Sequence, residues 1–289
     1  MNEVKRTIRG TNSTVKRLGQ RRDNQKCQAI IDWLTPVNFA LQQCDFISQR
    51  QEGTGEWILQ SNEFQQWLTQ SNQTLFCPGM PGAGKTIISS IVIDHLYKTF
   101  GNDPAVGIAY LYCNFQQQHE QTSSDLIVNL LKQLVQEQPS VPDVVKNLYS
   151  HHQVKRTRPS PNEILSALHY VTGFYSRTFI VIDALDECQV SHEGRLKFLQ
   201  EIFNLQAKIG VNVFVTSRFI QEIENKFDKG IKLEIHARDA DVQNYLDRKL
   251  QNFQSFVLKN PSLRAEVESR IAKAADETYV LFHSYNDIS

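Results

Sequence analysis

Gly79-Met80-Pro81-Gly82-Ala83-Gly84-Lys85-Thr86 has the Gly-x-x-x-x-Gly-Lys-Thr spacing of a phosphate-binding loop. Its flanks suit that reading. Thr74-Leu75-Phe76-Cys77 is short, apolar and β-prone, and from Ile87 to about Tyr97 apolar residues recur at helical intervals. Strand, glycine loop and helix are what the chemistry needs. Glycines let successive backbone N–H groups turn inward toward phosphate oxygens, and the helix start adds partial positive charge. Gly79, Met80, Pro81, Gly82, Ala83 and Gly84 would then cradle phosphate with Lys85, which would bridge the β- and γ-phosphates. Thr86 would hold magnesium through its hydroxyl. A random chain of this length meets the spacing about once in a hundred, so the flanking strand and helix add the discrimination.

A second stretch, Phe179-Ile180-Val181-Ile182-Asp183-Ala184-Leu185-Asp186-Glu187, begins as a strand buried on both faces, as in a parallel sheet. It ends in acids where such sheets bind ligands. Asp183 is expected to orient the magnesium ion, and Asp186 or Glu187 to polarise the attacking water. A further strand, Val211 to Val215, delivers Thr216-Ser217-Arg218 to the same rim, where Arg218 would stabilise charge on the γ-phosphate. Asn225-Lys226-Phe227-Asp228 matches the guanine-reading Asn-Lys-x-Asp pattern but follows a helical stretch instead of a strand, so GTP is the less expected nucleotide.

Composition excludes several classes. The 289 residues carry 31 basic and 31 acidic side chains, so no global field draws the chain to nucleic acid or an anionic membrane. No apolar run approaches the roughly 18 residues of a membrane span. Five scattered cysteines without a Cys-x-x-Cys suggest reduced thiols and a cytoplasmic setting. His151-His152 is not expected to bind metal, because adjacent residues point apart.

The rest of the chain organises around the two rim stretches. Strands near 74, 106, 179, 211 and 231 alternate with helices, which predicts an α/β three-layer fold with a five-stranded, mainly parallel sheet. Thr122 to Asp125 and Ser160 to Glu163 read as helix caps, and Gly210 as a helix stop after Ser191. Trp57, Ile58, Phe64, Trp67 and Leu68 read as core packing. Residues 1–30 form a basic arm or linker, 31–73 a helical approach segment, 74–236 the core and 237–289 a helical lid.

Gly79 to Thr86, Asp183-Ala184-Leu185-Asp186-Glu187 and Thr216-Ser217-Arg218 together resemble the NACHT NTPases of the STAND class. The approach segment, from Asp45 through Gly53-Thr54-Gly55 to Leu68, looks like fungal NACHT proteins with ankyrin or WD repeats, and the domain is similar to the nephrocystin-like N-terminal P-loop module. The resemblance implies a sheet order of 5-1-4-3-2 and a small helical lid over ATP or ADP. It also implies slow ATP hydrolysis that switches the protein between closed and oligomerising forms with protein partners. The winged-helix domain and repeats of that family are not recognisable, so the chain reads as a truncated member. The competing expectations are a scaffold without useful turnover and another P-loop kinase or GTPase.

Overall fold

In the computed structural model, residues 23, 25–113, 122–188, 192–238 and 241 are described. Strands β1 (Thr74–Pro78), β2 (Val106–Tyr112), β3 (Arg177–Asp183), β4 (Asn212–Ser217) and β5 (Ile231–Lys232) form one sheet in the order β2-β3-β4-β1-β5. Every pairing is parallel, and the order is the expected 5-1-4-3-2 read from its other edge. Such strands must be apolar on both faces, and β4 is buried from Asn212 to Ser217. β5 is shorter than the Ile231 to Ile235 run predicts; after Lys232 the pairing continues only as a bridge between Gly79 and Ile235.

Helix α1 spans residues 25–34. α2 (Phe39–Gln49), α3 (Trp57–Gln60) and α4 (Asn62–Thr69) precede the sheet. α5 (Lys85–Phe100) leaves the phosphate loop and packs on β2, β3 and β4, with α2 behind it. On α4, Trp67 sits against Phe179 and Phe214, and Phe179 stacks on Phe100 of α5. Trp57, Ile58, Phe64, Trp67 and Leu68 therefore belong to the core or its margin, as their spacing predicts. The opposite face carries α6 (Ser123–Gln136), α8 (Pro161–Thr172) and α9 (His192–Ile209). Phe203 of α9 and Phe76 of β1 both meet Phe227 there. Asn225 caps the one-turn helix α10 (Gln221–Glu224), and burial of Phe227 makes the Asn-Lys-x-Asp match part of the core margin.

Both predicted capping boxes form, Thr122 with Asp125 and Ser160 with Glu163. Gly210 stops α9 at φ +79°. Helix α7 (Asp143–Lys155) was not expected from the sequence. It buries only Val145 and His152, too little to print a periodic stripe. His152 is spent on Thr157 and Glu163. β2 lies at the sheet edge, and part of its open side is covered by the side chain of Gln133. The Gln133 amide accepts from the Tyr110 N–H at 3.0 Å and donates to the Tyr110 carbonyl at 2.8 Å, as a neighbouring strand would. The predicted lid helices and most of the basic arm lie outside the described residues. Among the described residues, no helix is long and apolar enough to cross a membrane.

Candidate functional site

β1 ends at Pro78 beside Ser217 of β4, and the chain turns through the loop into α5. Gly79 has no room for a side chain: a Cβ there would stand 2.4 Å from the Ile235 carbonyl oxygen. Gly82 and Gly84 adopt φ +81° and +87°, in the left-handed region where L side chains are strained. Nothing lies within 4 Å of a Cβ built at either, so both face open space. Lys85 folds back over the loop, donating from Nζ to the carbonyls of Gly79 and Met80 at 2.8 and 2.7 Å. An ammonium has three donors, and these two bonds anchor the side chain while one remains. Burial pushes the Lys85 ammonium pKa down, and the charges of Asp186 and Asp183 pull it back up.

Asp183 closes β3 and is buried, 2% exposed. It accepts from three hydroxyls: Thr86 at 2.8 Å, Ser89 at 2.6 Å and Thr216 at 2.7 Å. Burial raises its pKa, while these donors and the Lys85 charge act in the other direction. Thr86 and Ser89 are three apart on α5, so they share a helix face. Thr216 arrives from β4 and also accepts the Ala184 N–H at 2.9 Å. Ala184 takes φ +52°, ψ +50°, uncommon for a residue with a Cβ. That turn starts a single 3-10 turn, Leu185–Glu187, which swings Asp186 and Glu187 toward the tip of β4.

There the two acids meet Arg218. Its Nε lies 2.9 Å from Asp186, its Nη2 lies 3.0 Å from Glu187, and its backbone N–H donates to Asp186 at 3.0 Å. The Asp186 side chain is 4% exposed, Glu187 32% and Arg218 46%, so the cluster runs from a buried anion to a half-open cation. Lys85 lies within electrostatic reach of Asp183, Asp186, Glu187 and Arg218. The eight loop residues and four rim residues singled out in the sequence are thus gathered at the same end of the sheet, at the strand tips.

Ser89 and Arg195 went unnoticed in the sequence, and Thr216 was named there only as part of the rim stretch. Ser89 and Thr216 support Asp183. Ser89 left one trace, a hydroxyl three residues after Thr86 and so on its helix face, within a run apolar apart from Ser89 and Ser90. Arg195, near the start of α9, donates to the carbonyls of Asp186 and Cys188 at 3.4 and 3.3 Å, behind the acidic turn. Among the described residues its buried Nε has no partner. No sequence signal marks it. Among the described residues there is no cluster of His, Cys, Asp and Glu of the kind that holds a metal by itself.

The left-handed glycines Gly82 and Gly84, open to solvent, and the hydroxyl–carboxylate pair Thr86–Asp183 fit a phosphate chain with a hard divalent cation. Solved structures similar to this chain include a Walker-type ATPase of Pyrococcus abyssi, at 13% identity and TM-score 0.48, covering 78% of this chain and 66% of that one. The ORC2 protein of Aeropyrum pernix, solved as ADPNP–ADP complexes, has 14% identity and TM-score 0.44 over 70% of this chain. This chain spans 52% of that protein's length. A DNA replication initiation factor gives 14% identity and TM-score 0.42, with 83% and 67% covered. No curated protein matches. The family model described as "Nephrocystin 3, N-terminal" matches residues 53–218, from the approach loop to the rim arginine. That is more than half of the chain, which therefore belongs to the nephrocystin 3 N-terminal family of P-loop NTPase-fold domains.

Proposed function

We propose that this chain is a nucleotide-binding switch module of the NACHT/STAND type, taking ATP or ADP with magnesium and hydrolysing ATP slowly. The observation that carries the reading is that Lys85, the Thr86–Asp183 pair and the Asp186–Glu187–Arg218 cluster meet beside the glycine loop. In this reading the amides of Gly82 to Thr86 and the free donor of Lys85 hold the phosphates. Thr86 and Asp183 hold magnesium, which when bound neutralises phosphate charge. Asp186 or Glu187 orients water, and Arg218 meets the γ-phosphate. Residues 237–289 serve as a lid, 31–73 as the approach segment and 1–30 as a linker. The setting is cytoplasmic, with protein partners or further copies as the readers of the switch. Physically, ATP shifts a conformational balance only if the γ-phosphate binds the two states unequally.

Thermal melting with saturating ATP, ADP and GTP tests the binding. At about 100 times its Kd, a ligand specific for the folded chain adds about 2.7 kcal/mol. ATP and ADP are expected to raise Tm in the wild type and not in Lys85→Ala. No shift in either chain refutes nucleotide binding, and a shift with GTP alone refutes the preference for adenine over guanine. Radiolabelled ATP turnover compared among wild type, Glu187→Gln and Asp186→Asn then tests catalysis. Equal rates in all three would leave a module that binds without useful turnover.

A further inference from the structure

We infer that Arg218 is a latch that the γ-phosphate opens: without that phosphate it holds Asp186 and Glu187, and it leaves them only for a nucleoside triphosphate. The inference rests on the reading of the glycine loop and the strand tips beside it as a nucleotide site. Three carboxylates (Asp183, Asp186, Glu187) lie within electrostatic reach of Lys85, and Arg218, also within its reach, is paired with Asp186 and Glu187. A nucleoside diphosphate can occupy Lys85 and the loop amides and leave Arg218 on its acids. A third phosphate adds further negative charge at the rim, and Arg218 is the cation there that can be released to meet it.

The geometry allows such a release. Arg218 is bound to Asp186 twice, once through its backbone N–H at 3.0 Å and once through Nε at 2.9 Å. If the side chain swings away, buried Asp186 keeps the backbone donor, so it is not left bare in an apolar setting. Glu187 holds only the outer nitrogen, Nη2, and is itself partly exposed, so water can replace the arginine there. A half-exposed ion pair is weak, whereas a guanidinium on a phosphate makes strong charge-assisted bonds. The exchange therefore favours the triphosphate. It also uncovers the two acids at the moment when water has to be oriented, which ties hydrolysis competence to the presence of a γ-phosphate.

The test is a double-mutant cycle read by binding. The affinities of magnesium-ADP and of a magnesium-bound, β,γ-nonhydrolysable ATP analogue are measured by calorimetry. The chains are wild type, Glu187→Gln, Arg218→Gln and the double variant, each checked for an unchanged far-UV spectrum. Removing Glu187 frees the latch, so the triphosphate-to-diphosphate preference is expected to rise about three- to tenfold. Removing Arg218 is expected to lower it about five- to fiftyfold. The decisive comparison is the gain from Glu187→Gln without Arg218. A latch requires that gain to shrink, because no pair remains to be broken. A merely repulsive Glu187 would give the same or a larger gain there, and that result overturns the proposal. Should Arg218→Gln fail to fold, the three-way comparison of wild type, Glu187→Gln and Asp186→Asn stands in. The latch then predicts a rise in preference for both acids, and no rise for either refutes it. A wild type that holds neither nucleotide refutes the site and the latch together. A wild type that holds both with equal gains in the two backgrounds refutes the latch alone.

Discussion

Ser89 and Ser90 are adjacent on α5 and equally buried, yet their hydroxyls do different things, and exchanging each for alanine separates the two roles. The Ser89 hydroxyl donates to the Asp183 carboxylate at 2.6 Å; that of Ser90 returns to the Ile87 carbonyl of its own helix at 2.7 Å. A hydrogen bond to a charged group contributes about 1.5–3 kcal/mol, and alanine in a helix regains up to about 0.5 kcal/mol over serine. Ser89→Ala should therefore lose about 1–2.5 kcal/mol net. Asp183 keeps Thr86 and Thr216, so the carboxylate is weakened in its support but not orphaned. In Ser90→Ala the carbonyl of Ile87 keeps its helical bond, and the Ser90 carbonyl, which accepts from Gln43, is untouched. That variant should be within about 0.5 kcal/mol of wild type. Urea unfolding followed by far-UV circular dichroism measures both, with a lower midpoint at unchanged slope as the signature of lost stability. Equal midpoints for the two variants would refute the view that Asp183 depends on a ring of hydroxyl donors. A larger loss in Ser90→Ala would refute it as well.

Arg195→Met removes the clamp on the carbonyls of Asp186 and Cys188. Its expected effect is about a tenfold fall in ATP turnover with nucleotide affinity unchanged, read from steady-state kinetics beside calorimetry. Gln133→Leu leaves both edge groups of Tyr110 without a partner. It should cost about 2–4 kcal/mol in denaturant titration and raise self-association in light scattering, since an uncovered strand edge pairs with other chains. The Ser160 hydroxyl and backbone N–H hold the Glu163 carboxyl down at about 2, against an ordinary 4.5. A folded pKa below the unfolded one stabilises above the unfolded value and is lost as pH falls through the folded one. Tm should therefore fall between about pH 4.5 and 2 more steeply in wild type than in Glu163→Gln.

Much of the site could be read along the chain, because each rim residue sits next to a strand that announces itself. Lys85 and Thr86 follow a glycine pattern, and Asp183, Asp186 and Glu187 follow four consecutive apolar residues. Arg218 follows Val213-Phe214-Val215. What could not be read were the partners across the sheet. Ser89 and Thr216 lie 94 and 33 residues from the Asp183 they support. They reach it because α5 and the alternation of β4 turn them to the same face. Gln133 became an edge cover only because β2 ended outermost, and α7 escaped notice because its polar sequence buries two side chains.

By itself, then, the order of residues determined the strands, the glycine loop, the helix caps and the chemical character of each strand tip, since these depend on local periodicity and backbone freedom. Tertiary structure alone decided that Arg218 is paired with Asp186 and Glu187, that Arg195 braces their turn, and that Asp183 is buried under three hydroxyls. Those contacts join residues far apart in the chain, and their distances follow from how parallel strands stagger and how helices settle on them.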